Sequence, residues 1–433
     1  MEVGRLASPY PESLRICLDR RKQIRERQPT ELMAWAVATK TEIDAVLRGW
    51  VEFDEQATVT VGAEHGPLAG LPIGVKDVID VAGMPTRAGS RSRDQMAPAV
   101  CDAEVVARLR AMGAVICGKT ATTEFAYLDP SAVTNPFNAA HTPGGSSSGS
   151  AAVVGAGVVP LALGTQTAGS VCRPAAWCGT YAFKPSTGRT PRSGVEPFAP
   201  SFDTVGVFGL DLELTVRTAL ATIGERDAAE FARRVPSIVW LEDPYFLDIS
   251  PDCMRQLEHA RELLKAAGCR VRAVEVGLDF EQLRSVHRTV MHFEAYAHHG
   301  SLLRSHAELL GEHWRTALET GAQVTPLQAA EALQTLAAAR DRLEAAVDDA
   351  DLVLGSPVRT EALEGVQSTG DAGLIIPWTY AGTPLVVLPT GLSRTGMPLA
   401  VMLAGRRNKD RAAAEDALTV SSILRDGGMV IDA

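Results

Sequence analysis

Apolar residues recur along the chain with two periods, and the period switches repeatedly from helical to strand-like. Residues 103–112 (AEVVARLRAM) carry apolar side chains at helical spacing, Gly113 follows, and Ala114-Val-Ile-Cys117 is a short apolar run. That order predicts a helix, its glycine stop and a strand. The unit recurs: residues 253–267 predict an amphipathic helix, Gly268 closes it, and Cys269 to Val276 alternates as a strand does. An alanine-rich helix is predicted over 327–350, ahead of Asp351-Leu-Val-Leu354. Leu71–Val75, bounded by turn residues, reads as a strand, as do Pro384–Leu388 and Pro398–Ala404. Helices are predicted over Pro11–Ile24 and over 410–424. Helices alternating with strands indicate an α/β fold with a mixed or parallel central sheet. No internal repeat or linker interrupts the chain.

The stretch 141–194 stands apart, dense in Gly, Ser, Thr and Ala and poor in charge. It contains the longest apolar run, Ala151 to Leu163. At 13 residues the run is too short to span a bilayer, and it reads as a buried helix. Of the 433 residues 46% are hydrophobic, ample for a large core. A formal net charge of −10 argues against nucleic acid as a partner. The cysteines Cys17, Cys101, Cys117, Cys172, Cys178, Cys253 and Cys269 are odd in number and form no C-x-x-C, which suggests reduced thiols in a cytoplasm. His292, His298 and His299 cluster without a nearby cysteine, so no metal site is expected. Met1 to Arg5 lacks the basic-then-apolar pattern of a signal peptide, and nothing points to a membrane.

Candidate chemistry concentrates in the Ser/Gly stretch. Residues 144–150 read Gly-Gly-Ser-Ser-Ser-Gly-Ser, and 164–173 read Gly-Thr-Gln-Thr-Ala-Gly-Ser-Val-Cys-Arg. Glycines beside a serine permit tight turns and let backbone N–H groups converge on an anion. A hydrolase, a phosphate binder and plain structural turns all fit that pattern, although neither nucleotide-binding glycine motif is present. A nucleophilic serine also needs a proton acceptor. No G-x-S-x-G with a placed histidine stands out. Lys76, directly after the apolar strand, is a candidate, because a desolvated lysine shifts toward its neutral, basic form. A surface lysine at a strand end is the commoner case.

The segments Gly66-Pro-Leu-Ala-Gly-Leu-Pro-Ile-Gly-Val-Lys-Asp77, Pro143-Gly-Gly-Ser-Ser-Ser-Gly-Ser150 and Leu163-Gly-Thr-Gln-Thr-Ala-Gly-Ser-Val-Cys-Arg-Pro174 resemble the amidase signature family. Cys178–Pro185, Phe202–Gly209, Ala381–Pro384 and Gly396–Pro398 extend the likeness in the family's order. Gln166 and Arg173 resemble malonamidase-like members most. The resemblance implies a single layered α/β/α domain over 1–433, with an N-terminal helical segment (1–60), a catalytic core (61–220) and a remainder carrying pocket insertions (221–433). It implies a Ser–Ser–Lys triad: Lys76 as base, Ser146 as relay at an unusual cis peptide, and Ser170 as nucleophile, 170 − 146 = 24 positions on. It implies an oxyanion hole from the N–H groups of Thr167, Ala168, Gly169 and Ser170, with Gly144 and Gly145 beside the substrate. Ser147 and Ser148 would hold the loop.

Two departures bear on activity. Ala168 stands where the family usually has glycine, which narrows backbone freedom. Gln166 stands where the family usually has aspartate. Arg173 is expected either to clamp a substrate carboxylate or to anchor internal carbonyls. His287, His292, Trp314 and Trp378 are candidates to line the pocket, with packing the commoner role for each. The expected activity is hydrolysis of a small-molecule amide to carboxylate and ammonia or amine through an acyl-enzyme, with no cofactor. A homodimer is compatible with it, and neither nucleic acid nor membrane is expected as a partner. An acyl-transferring biosynthetic amidase, a glutaminase subunit of an amidotransferase and an inactive scaffold are the competing readings.

Overall fold

The computed structural model describes residues 12–225 and 230–431. The sequence reading of Met1 to Arg5 and of Pro11 lies outside them. Eleven strands follow one another along the chain: β1 (Trp50–Phe53), β2 (Pro72–Lys76), β3 (Val115–Thr120), β4 (Leu161–Gln166), β5 (Tyr181–Lys184), β6 (Thr204–Gly209), β7 (Ile238–Leu241), β8 (Val271–Val274), β9 (Leu352–Gly355), β10 (Leu385–Leu392) and β11 (Pro398–Gly405). They form one mixed sheet in the order β1-β3-β2-β4-β6-β5-β10-β11-β9-β7-β8. Helices pack against it, giving the α/β architecture expected. Every residue of β2, β3, β4, β6 and β11 is buried. Successive side chains of a strand point to opposite faces, so both faces of the sheet are covered there.

Three strands place the chemistry. β2 lies between β3 and β4 and runs parallel to both. Their carboxyl ends, Lys76, Thr120 and Gln166, therefore emerge at one edge of the sheet. β6 runs antiparallel to β4 with Thr204 opposite Gln166, which brings Asp203 to the same edge. In open α/β sheets this carboxyl-end edge is where ligands bind.

The helix–glycine–strand units read from periodicity appear as helix Glu104–Ala111 with β3, helix Pro251–Ala266 with β8, and helix Pro326–Ala346 with β9. The apolar run Ala151–Leu163 is corrected. It is not one buried helix: helix Ser148–Gly155 ends there, the chain turns at Gly157 (φ +72°), and β4 begins at Leu161. Gly155, Gly157 and Pro160 divide the run, because glycine and proline both oppose helix propagation. The first 60 residues are not all helical either, since β1 pairs antiparallel with β3.

Helix Phe280–His299 is held close to helix Glu312–Gly321. A Cβ on Gly321 would stand 2.0 Å from the His292 carbonyl oxygen, so this contact requires glycine. Gly321→Ala is expected to lower the unfolding free energy by about 1–3 kcal/mol, the usual cost of overpacking. Urea denaturation checks this, and an unchanged midpoint would contradict the close contact.

Candidate active site

Lys76 closes β2 and is fully buried. Its Nζ donates to Ser146 Oγ at 2.7 Å and to Thr165 Oγ1 at 2.8 Å. Among the described residues no ion pair involves it. The contrast with Lys119, one strand away on β3, is instructive. Lys119 is equally buried but pairs with Asp77 at 3.0 Å. Burial pushes the Lys76 amine well below the ordinary lysine value, and the more distant charge of Asp203 offsets this only in part. Lys76 therefore sits among hydroxyls with no carboxylate in contact, and its burial favours the uncharged amine.

Ser146 follows a cis peptide bond at Gly145–Ser146. Its carbonyl accepts from Thr123 N at 3.2 Å and Thr122 Oγ1 at 3.1 Å. Gly144 turns the chain before it with φ +80°. A Cβ on Gly145 would meet Thr369 Cγ2 at 2.7 Å, so this loop lies directly against the 369–373 segment. Ser147 Oγ donates to Thr165 O at 3.1 Å and accepts from Thr165 N at 3.2 Å, pinning the loop to β4. Ser150 adds a second tie, donating to Leu163 O at 2.8 Å. Ser148 opens the helix Ser148–Gly155.

Ser170 lies in the bend between β4 and helix Cys172–Trp177, 8% exposed. The structure thus brings Lys76 and Ser146 into contact, while Ser170 Oγ makes no hydrogen bond among the described residues. The bend is braced from several directions. Gln166 Oε1 accepts from the N–H groups of Val171 (2.9 Å) and Cys172 (3.1 Å). Its Nε2 donates to Thr379 Oγ1 at 3.0 Å, and Thr379 Oγ1 in turn donates to Ala168 O at 2.6 Å. Thr167 Oγ1 donates to Asp203 Oδ1 at 2.5 Å. Asp203 Oδ2 accepts from the N–H groups of Phe198 and Ala199. Gly169 is needed where Ala372 closes in, since a Cβ would stand 2.9 Å from Ala372 Cβ.

Arg173 is buried, with Nη1 donating to Gly370 O at 2.8 Å and Nη2 to Gly145 O at 2.6 Å. Nε has no partner. Burial lowers its pKa to about 10, against the opposing effect of Asp371. Both terminal nitrogens thus hold backbone carbonyls that frame the serine loop, which is the anchoring arrangement.

His287 is buried and its Nε2 donates to Thr167 O at 3.1 Å, since a carbonyl can only accept. Burial drops its pKa to about 3, so the ring is neutral across the physiological range. His292 contacts Tyr127 OH at 2.8 Å, and burial lowers its pKa to about 4. Trp314 stacks on Phe125 at 5.0 Å between centroids, and Trp378 packs on Phe246 at 6.1 Å, so both act in packing. Sequence reasoning missed Thr165, Asp203 and Thr379 as site residues. Thr165 and Asp203 lie inside quoted motifs. Thr379, 213 positions from Gln166, carried no signal. Among the described residues no group of histidine, cysteine or acidic side chains could hold a metal ion, and no helix is long and apolar enough to cross a membrane.

The model of the Amidase family matches residues 34–413. The chain belongs to that family. A putative amidase of Mycobacterium bovis is 32% identical over 393 residues, covering 80% of this chain and 78% of that protein. The A subunit of a glutamyl-tRNA(Gln) amidotransferase of Rhodopirellula baltica is 40% identical over 221 residues, 49% of this chain. The chain covers only 43% of that relative's length, and 38% and 41% of two further A subunits. A crystal structure of an amidase superposes with a TM-score of 0.81 at 25% identity, covering 95% of this chain and 99% of that one.

Two expectations follow from the geometry. Unfolded, the Lys76 amine titrates at 10.5, and folded it titrates lower. Between the two values the unfolded state binds more protons, so stability rises with pH. Lys76→Met is therefore expected to melt at a higher temperature than the native protein at pH 7, with the gap narrowing as the pH climbs toward 10.5. A gap independent of pH would contradict a desolvated lysine. Arg173→Gln is expected to weaken turnover of acidic and neutral amides alike and to reduce stability by about 1–3 kcal/mol, because buried carbonyls lose their donors. Loss confined to acidic amides, at unchanged stability, would make Arg173 a substrate clamp instead.

Proposed function

We propose that the protein is a serine amidohydrolase that cleaves a small-molecule amide through an acyl-enzyme. The observation that carries this reading is the fully buried Lys76, without an ion-pair partner among the described residues and hydrogen-bonded to Ser146 Oγ at 2.7 Å. A neutral amine beside a hydroxyl, with a second serine on the adjacent bend, is the arrangement of an activated nucleophile. Neutral Lys76 accepts a proton from Ser146, Ser146 accepts one from Ser170, and Ser170 Oγ attacks the amide carbonyl. The N–H groups of Thr167, Ala168, Gly169 and Ser170 receive the developing oxyanion, each donor worth about 3–4 kcal/mol in comparable sites. The proton returns through Ser146 to the departing nitrogen, the C–N bond breaks, and ammonia or amine leaves. Water then repeats the sequence on the ester, releasing the carboxylate. No cofactor enters these steps.

The engagement of Arg173 with two carbonyls supports substrates chosen by size and shape rather than by a carboxylate at that position. A second reading is a glutaminase-type subunit, which the similarity to the Rhodopirellula baltica protein favours over about half of the chain. Purified alone, an amidohydrolase releases ammonia from primary amides, whereas a partner-dependent glutaminase does not. The native chain is expected to release ammonia from at least one member of a primary amide panel, and Ser170→Ala is expected to lose nearly all of that activity while remaining folded. Retention of more than about a tenth of the native rate would exclude Ser170 as nucleophile, since loss of such a residue ordinarily removes several orders of magnitude.

A further inference from the structure

The carbonyls of three consecutive residues on the nucleophile bend are each occupied from outside it. Thr167 O accepts from His287 Nε2 at 3.1 Å, Ala168 O from Thr379 Oγ1 at 2.6 Å, and Gly169 O from Arg173 N at 3.0 Å. In a trans peptide unit the C=O of one residue and the N–H of the next point in opposite directions. Holding these carbonyls therefore turns the N–H groups of Ala168, Gly169 and Ser170 away from the braces. Those three N–H groups donate to no backbone acceptor among the described residues. The next two N–H groups, of Val171 and Cys172, are withdrawn by Gln166 Oε1. The N–H groups of Ala168, Gly169 and Ser170 are thus left unoccupied and turned away from the braces, and Gln166 Oε1 ends the series at Val171.

We propose that His287 and Thr379 are positioning residues that aim the N–H groups of Ala168 and Gly169 at the carbonyl oxygen of the amide. Neither needs to touch substrate. His287 comes from the long helix Phe280–His299 and Thr379 from the short helix Ile376–Ala381, so two remote segments set the direction of the donors. Gln166 fixes the Thr379 hydroxyl by donating to it, which leaves the hydroxyl proton for Ala168 O. The neutral ring of His287 keeps a donor on Nε2 for Thr167 O without placing a charge against the bend.

The inference rests on the acyl-enzyme reading above, and one experiment separates the two. The full chain is treated with an alkyl fluorophosphonate, whose phosphoryl oxygen takes the place of the oxyanion, and the limiting labelling rate and half-saturating concentration are measured separately. Thr379→Val and His287→Phe are expected to slow the limiting rate about 10- to 100-fold, less than the loss of a direct donor, with half-saturation unchanged. Thr379→Ser and His287→Gln, which retain a donor, are expected to recover most of it, with melting temperatures recorded for all four. Native limiting rates in Thr379→Val and His287→Phe would overturn the proposal. So would parallel loss of rate and half-saturation that the donor-retaining variants fail to rescue. If Ser170→Ala still takes the label at the native rate, the nucleophile assignment falls and this inference falls with it.

Discussion

The desolvation of one lysine governs the arrangement of the whole site. An ammonium taken out of water loses several kcal/mol of hydration unless a partner compensates it. Lys119 on β3 has that partner in Asp77, whereas Lys76 on β2 faces the hydroxyls of Ser146 and Thr165. Two buried lysines on neighbouring strands thus differ in their surroundings, since only Lys119 has a carboxylate in contact. The downward push on the Lys76 pKa is a consequence of where the sheet puts it. β2 is fully buried and flanked on both sides by parallel strands, and Lys76 closes it with no exposed surface of its own.

The serines acquire their roles from the same edge of the sheet. Ser147 and Ser150 tie the loop after Gly145 to β4, and this presents Ser146 to Lys76. Arg173 holds the carbonyl of Gly145 from the side of the nucleophile bend, so the two serine-bearing segments are fastened to each other as well as to the sheet. The outer segment 369–379 contributes no catalytic group, yet it supplies Gly370 O to Arg173 and Thr379 Oγ1 to Ala168. On the proposal above, a change in that segment would reach the reacting atoms through backbone direction.

Much of this was legible in the sequence, and the remainder was hidden for identifiable reasons. Periodicity located the half-exposed elements such as helix Glu104–Ala111 and helix Pro251–Ala266, because their two faces differ. Alternation is absent from strands buried on both faces: β2, β3 and β11 were legible as short apolar runs beside turn residues, whereas β4 was merged into the run from Ala151. The apolar stretch before β4 was divided by Gly155, Gly157 and Pro160, and breakers of this kind weigh more than apolar continuity. Lys76, Ser146 and Ser170 were found because each sits in a local motif. Thr379 was not singled out and His287 was read only as a candidate to line the pocket, since their pairings with Ala168 and Thr167 span 211 and 120 residues, which no local pattern encodes. The double possibility at Arg173 is not resolved by local sequence, since its carbonyl partners Gly145 and Gly370 lie 28 and 197 residues away.

The claim on which everything turns is that the Lys76 amine is neutral when the enzyme works. Labelling lysine side chains with carbon-13 at Cε and following their resonances with pH reports each protonation state directly, and Lys76→Met assigns the signal. The account predicts one lysine resonance already in the amine form at pH 7 that disappears in Lys76→Met. If the assigned resonance instead stays in the ammonium form until the pH nears 10.5, the ordinary lysine value, Lys76 cannot be the base and the proposed proton path is wrong.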